Sequence, residues 1–264
     1  MPRFAANLSM MFNEVAFLDR FAAAAAAGFR GVEFLFPYAY EKERLAELLR
    51  LHKLELVLFN MPPGDWDRGD RGLACDPARK GEFQDGVGKS IDYARFLSCK
   101  RVHCMAGLRP AGAGDDLLRE TYVSNLRFAA GELAKHGLTL LVEAINTRDM
   151  PGFYVTTSRQ ALGLIDEIGA PNVAFQADLY HLQIMEGDLA HTLEARRARI
   201  GHVQIADTPG RHEPGTGEIH YPFLFQHLDR LGYQGWIGCE YRPLTTTEAG
   251  LGWLRPYLTG RASP

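Results

Sequence analysis

This 264-residue chain has only four cysteines, Cys75, Cys99, Cys104 and Cys239, and no two of them stand at CxxC spacing. A disulfide scaffold or a cysteine zinc site is therefore disfavoured, and free buried thiols in a reducing cytoplasm are the expectation. No GxGxxG or GxxxxGK[ST] follows any apolar run, so the phosphate-cradling turns of dinucleotide- and nucleotide-binding folds are missing. The alanine run Ala22–Ala27 is too short to span a bilayer and is flanked by charges. The N-terminal MPRFAANLSM lacks the long apolar centre of a secretory signal. There is no basic excess either. The 29 Lys and Arg against 32 Asp and Glu give a net charge of -3, which speaks against bulk nucleic-acid binding.

What is present is alternation. Apolar runs that read as strands lie at residues 4–8, 31–36, 54–59, 101–105, 138–143, 173–177, 200–205 and 236–239. Helical patterns fall between and after them, over 13–27, 40–52, 78–97, 115–136, 157–168, 185–197, 223–231 and 247–258. Asn13 is a candidate N-cap, Thr157 or Ser158 another, and Gly28, Gly137 and Gly169 are stop signals. Eight strands alternating with eight helices predict a parallel sheet with crossover helices. At this length the expectation is one (β/α)8 barrel, a TIM barrel, spanning 1–264 as a single domain. Two long polar loops, 60–77 and 206–220, follow the third and seventh strands. In a barrel both would lie on the C-terminal rim, where active sites are built.

Four strands end in a polar residue: Glu143, Asp178, Gln204 and Glu240. Barrel strand ends converge on the axis, so these residues would share one small volume. Three carboxylates crowded together repel, and a divalent cation removes that cost. An all-oxygen set suits a hard ion, Mg²⁺ first and Mn²⁺ second, better than zinc. The surplus negative charge left beside an anionic substrate calls for Arg211 or a protonated His181, with Asp149 a third candidate contact. His103 reads as a satisfied interior histidine. Trp66, in the first long loop, is a candidate to close over a small substrate, with a surface anchor as the alternative.

The segments VEAINTRDMPGF, QADLYHLQIMEGDL, HVQIADTPGRHEPGTGEI and GWIGCEYRP resemble the hydroxypyruvate isomerase family, within the xylose isomerase-like barrels. RFAANLSMMFNE and PPGDWDRGDRGLAC resemble it too, so the likeness covers nearly the whole chain. Ala144 departs from the proline expected after the first glutamate, a change of loop stiffness rather than chemistry. The resemblance implies that Glu143, Asp178, Gln204 and Glu240 hold a metal and that Glu143 and Glu240 form the acid/base pair. Broader relatives, the ketose epimerases, carry histidine at the third position; Gln204 is similar to the hydroxypyruvate isomerase subgroup.

The expected activity is interconversion of hydroxypyruvate and 2-hydroxy-3-oxopropanoate through an enediolate. The same motifs also resemble 2-oxo-tetronate isomerases, whose substrate is one carbon longer. No redox cofactor is implied, because a hydrogen merely changes carbon. Two other classes compete. A metal-dependent nuclease for abasic DNA would want more histidines at the site and a basic face. A non-catalytic carbohydrate-binding or sensor protein would not require all four residues intact. The expected partner is a small anionic hydroxy- or oxo-acid, with neither nucleic acid nor membrane. A homo-oligomer stays open.

Overall fold

The computed structural model describes residues 1–258; the remainder of the expected 1–264 span lies outside the described residues. Eight parallel strands close into one barrel in sequence order. They are β1 Arg3–Asn7, β2 Gly31–Phe34, β3 Glu55–Asn60, β4 Arg101–His103, β5 Thr139–Glu143, β6 Val173–Asp178, β7 Ile200–Ile205 and β8 Trp236–Cys239. Closure is completed by β1 pairing with β8, Ala5 opposite Gly238.

Around the barrel run α1 Arg20–Ala26, α2 Lys42–Leu51, α3 Lys80–Phe96, α4 Asp115–Ala134 and α5 Ser158–Ile168. They are followed by α6 Leu179–Met185, α7 Leu189–Arg196, α8 Tyr221–Arg230, α9 Thr247–Gly250 and α10 Arg255–Leu258. The local rules work best at α5. Thr157 accepts from the Gln160 amide as N-cap, and Gly169 closes the helix in the left-handed region. The apolar stripes of the helices and the outward residues of the strands form one continuous core.

Three helical expectations are corrected. Asn13 caps nothing: its amide donates to the Met10 carbonyl, and a 3-10 turn at Phe17–Asp19 precedes α1. The stretch 185–197 is not one helix. The chain turns helical directly after Asp178, breaks at Gly187 and Asp188, both at positive φ, and resumes as α7. The segment 247–258 is two short α-helical pieces joined by a 3-10 turn.

Strand side chains alternate, so every second residue enters the barrel lumen. A small apolar cluster, separate from the outer core, includes Ala5, Leu141 and Trp236, with Ala174 packed against it. Two and four residues further along those strands the same alternation brings Asn7, Glu143, Gln176, Asp178, Gly238 and Glu240 inward. The lumen is therefore apolar toward its N-terminal end and polar toward the C-terminal rim.

Candidate active site

A cavity of about 320 Å³ opens on that rim, lined by residues including Asn60, Trp66, His103, Glu143, His181, Arg211, Glu240 and Arg242. A larger hollow, about 640 Å³, lies by the N-terminal strand ends near Arg101 and Gly201; it has no carboxylate in its lining.

Asp178 ends β6 and caps α6 at once. Its Oδ1 accepts from the Tyr180 amide at 2.8 Å, while its buried Oδ2 has no hydrogen-bond partner. Glu143 Oε1 is likewise buried and unpartnered. Burial, with Asp178 and Glu240 nearby, holds the Glu143 carboxyl well above its usual range. Burial also raises Asp178, and it pushes Glu240 up to about 8 against the pull of Arg211. One ligand atom each from Glu143, Asp178 and His181 fall within 4.8 Å of one another. Unpartnered buried oxygens with raised proton affinities are what a cation-binding group looks like before the cation is added.

Arg211 reaches the site from the second long loop. Asp207 ties that loop down, its carboxylate accepting from the amides of Thr208, Gly215, Gly217 and Ile219. The Arg211 guanidinium packs over the Tyr180 ring, 5.1 Å from its centroid. Its Nη2 donates to Glu240 Oε2 at 2.9 Å and lies 3.8 Å from Asp178 Oδ2. Arg211 thus offsets the carboxylates rather than standing free for an anion.

Burial and the neighbouring Arg211 hold His181 well below its usual range, which disfavours the protonated form expected as the alternative to Arg211. Its tautomer follows from Asn146. The Asn146 Oδ1 accepts from the amides of Arg148 and Asp149, which turns Nδ2 toward His181 Nδ1 at 2.7 Å. The Asn146 backbone amide also points at Nδ1, at 3.4 Å. Nδ1 is the acceptor, so the proton sits on Nε2, 3.6 Å from Asp178 Oδ2. Asp149 is outside the cavity lining; it accepts from Tyr180 OH and Asn146 Nδ2.

Gln204 lies beneath, with Nε2 donating to Glu33 Oε1 at 2.8 Å and Oε1 accepting from Gln176. Glu33, on β2, was overlooked in the sequence. It is 1% exposed and also accepts from Asn7 Nδ2 at 3.1 Å and pairs with His202 Nε2 at 2.8 Å. The missed signal was a charge inside the apolar run GVEF. Gly238 makes room for it: a Cβ there would meet the Glu33 carboxylate at 2.3 Å. His103 also corrects an expectation. Its Nδ1 is 3.2 Å from Asn60 Oδ1, but its Nε2 has no hydrogen-bond partner and lies 3.4 Å from Glu143 Oε2. Trp66 lines the cavity and packs against the Phe36 ring and the Arg71 guanidinium.

The profile described as "Xylose isomerase-like TIM barrel" matches residues 21–257. The chain belongs to that family. Among its relatives, 2-oxo-tetronate isomerase of Cupriavidus necator is 55% identical over 98% of this chain and 99% of its own. Hydroxypyruvate isomerase of Escherichia coli is 53% identical over 97% of this chain and all of its own. A crystal structure from Brucella melitensis, described as AP endonuclease, family 2, superposes with a TM-score of 0.95 at 52% identity, covering 97% of this chain and 99% of that one. The closed eight-stranded barrel agrees with the fold in that description. Among the described residues no helix is long and apolar enough to cross a membrane.

Proposed function

We propose that this single-domain barrel is a metal-assisted isomerase that interconverts hydroxypyruvate and 2-hydroxy-3-oxopropanoate. The observation that carries the reading is the convergence of Glu143 and Asp178, each with an unpartnered buried oxygen, with Glu240 joined to Asp178 through Arg211, in a chain so similar to relatives named for isomerases. Glu143, Asp178, Gln204 and Glu240 would hold the ion, Mg²⁺ before Mn²⁺, since their donors are hard oxygens. The ion supplies Lewis-acid stabilisation of the negative charge that develops on the substrate oxygens.

The chain's own residues move the protons. One of Glu143 and Glu240 takes the proton from C3, and the other supports its return at C2; the O3 proton ends on O2, so no oxidant or reductant is consumed. Glu240 faces the cavity with its Oε2 held by Arg211, which fixes the carboxylate's orientation for this exchange. Glu143 has two carboxylate oxygens, so one can meet the ion while the other passes a proton. His181 offers Nε2–H to a developing oxyanion. Arg211 keeps the carboxylate group from repelling itself apart. Four buried thiols accord with a cytoplasmic enzyme.

The second reading is isomerisation of 2-oxo-tetronate, favoured by the 55% identical relative of that name. The test is metal-dependent loss of hydroxypyruvate with appearance of an aldehyde and no redox partner, run beside 2-oxo-tetronate. The larger kcat/KM names the substrate, and absence of turnover on both with Mg²⁺ or Mn²⁺ overturns the isomerase reading. A nuclease is disfavoured by the net charge of -3.

A further inference from the structure

We infer that Arg242 is the residue that selects an acid substrate by receiving its carboxylate at the cavity mouth. The inference rests on the isomerase reading and assigns its anion contact. Charge and commitment lead to it. The cavity lining contains two arginines, Arg211 and Arg242, and two buried histidines, His103 and His181. Both histidines are already committed on each side of the ring: His103 lies between Asn60 Oδ1 at 3.2 Å and Glu143 Oε2 at 3.4 Å, and His181 between Asn146 Nδ2 at 2.7 Å and Asp178 Oδ2 at 3.6 Å. Arg211 is engaged with Glu240 through Nη2 at 2.9 Å and through Nε to the Glu240 carbonyl at 3.4 Å. Moving it onto a substrate would leave a buried carboxylate unpaired, which is costly. Arg211 and one dication together also match the charge of Glu143, Asp178 and Glu240. A substrate carboxylate would then enter as a surplus negative charge needing its own cation.

Arg242 meets that need. It lies two residues beyond Glu240, lines the cavity and is exposed. Among the described residues its guanidinium enters no ion pair. Its backbone is fixed on both sides: its amide donates to the Arg211 carbonyl at 2.8 Å, and its carbonyl is 2.8 Å from His212 Nδ1. A planar guanidinium on an anchored backbone is suited to bidentate recognition of a carboxylate. A neutral sugar would gain nothing from it.

The experiment compares full-length wild type, Arg242→Ala and Arg242→Lys, all loaded with Mg²⁺. The substrates are hydroxypyruvate and dihydroxyacetone, which keeps the ketone and hydroxymethyl group but replaces the carboxylate. Arg242→Ala should raise KM for hydroxypyruvate and lower the hydroxypyruvate-to-dihydroxyacetone ratio of kcat/KM by roughly ten- to a hundredfold. Arg242→Lys should fall between. Equal losses on both compounds, or an unchanged KM for hydroxypyruvate, overturns the assignment. Should wild type turn over neither compound, the isomerase reading fails and binding still decides this one. Calorimetry with tartronate must then give at least tenfold weaker affinity in Arg242→Ala; equal affinity, or no binding to wild type, overturns it.

Discussion

Removing metal and raising the pH should weaken this protein through Glu240. In the folded, metal-free chain burial pushes that carboxyl up to about 8, against an ordinary value of 4.5. Between those values the folded state holds a proton that the unfolded state has released. Stability from such a group is complete below the unfolded value and is lost as pH rises through the folded one. The slope approaches 1.36 kcal/mol per pH unit, so from pH 6 to 8 the loss is about 2 kcal/mol. For a chain of this size that is a fall in Tm of roughly 4–8 °C. Other groups titrate nearby. His103 and His181 have depressed values, so their contribution is lost as pH falls below the unfolded histidine value, the opposite sign. Buried thiols such as Cys99, pushed up to about 12, begin to weigh against folding above pH 8. Glu240→Gln shares these groups, so the informative quantity is the Tm of wild type minus that of Glu240→Gln, measured by calorimetry after EDTA treatment. It should fall steadily from pH 6 to 8, and Mg²⁺ or Mn²⁺ should flatten it by taking the proton's place. A difference that stays constant or rises would refute the reasoning.

Replacing either proposed acid/base residue, as Glu143→Gln or Glu240→Gln, should lower kcat by at least roughly a hundredfold; steady-state rates near wild type with metal bound would remove that residue from the proton path. Glu33→Ala withdraws the acceptor that turns the Gln204 amide. Mn²⁺ affinity, followed by EPR titration, should weaken by roughly ten- to a hundredfold, with Glu33→Gln milder because one acceptor oxygen remains. Unchanged affinity in Glu33→Ala would mean that Gln204 does not depend on it.

The repeating architecture was legible because each strand is a short apolar run and each crossover helix a periodic one. The bounds of β7 and β8 match their apolar runs, and β6 ends at the expected Asp178. The start of α6 falls outside the expected helices because the helical pattern is plain only from residue 185; the Asp178 carboxylate caps the helix through Oδ1 and leaves Oδ2 unpartnered. Asn13 misled because an asparagine before a helical pattern can serve a loop equally well through its amide donors. The strand-end carboxylates announced themselves as charges where apolar runs stop. Glu33 carries the same kind of signal from inside a strand, where the pattern around it hid the charge. Arg211 could be found as a loop cation, but its engagement with Glu240 depends on two loops meeting in space, and no local spacing encodes that. The tautomer of His181 is likewise set by Asn146, 35 positions away in the chain.

The closeness of Glu33 and Gly238 ties two distant codons into one unit of inheritance. A side chain at 238 would run into the Glu33 carboxylate, so a change there must displace a group held by Asn7, His202 and Gln204. Shortening Glu33 first opens that space but deprives Asn7, His202 and Gln204 of their shared partner. Either single step passes through a weakened protein, whichever comes first. A lineage that rebuilt the floor of this cavity would have to alter β2 and β8 together, or first gather spare stability elsewhere in the barrel to survive the intermediate.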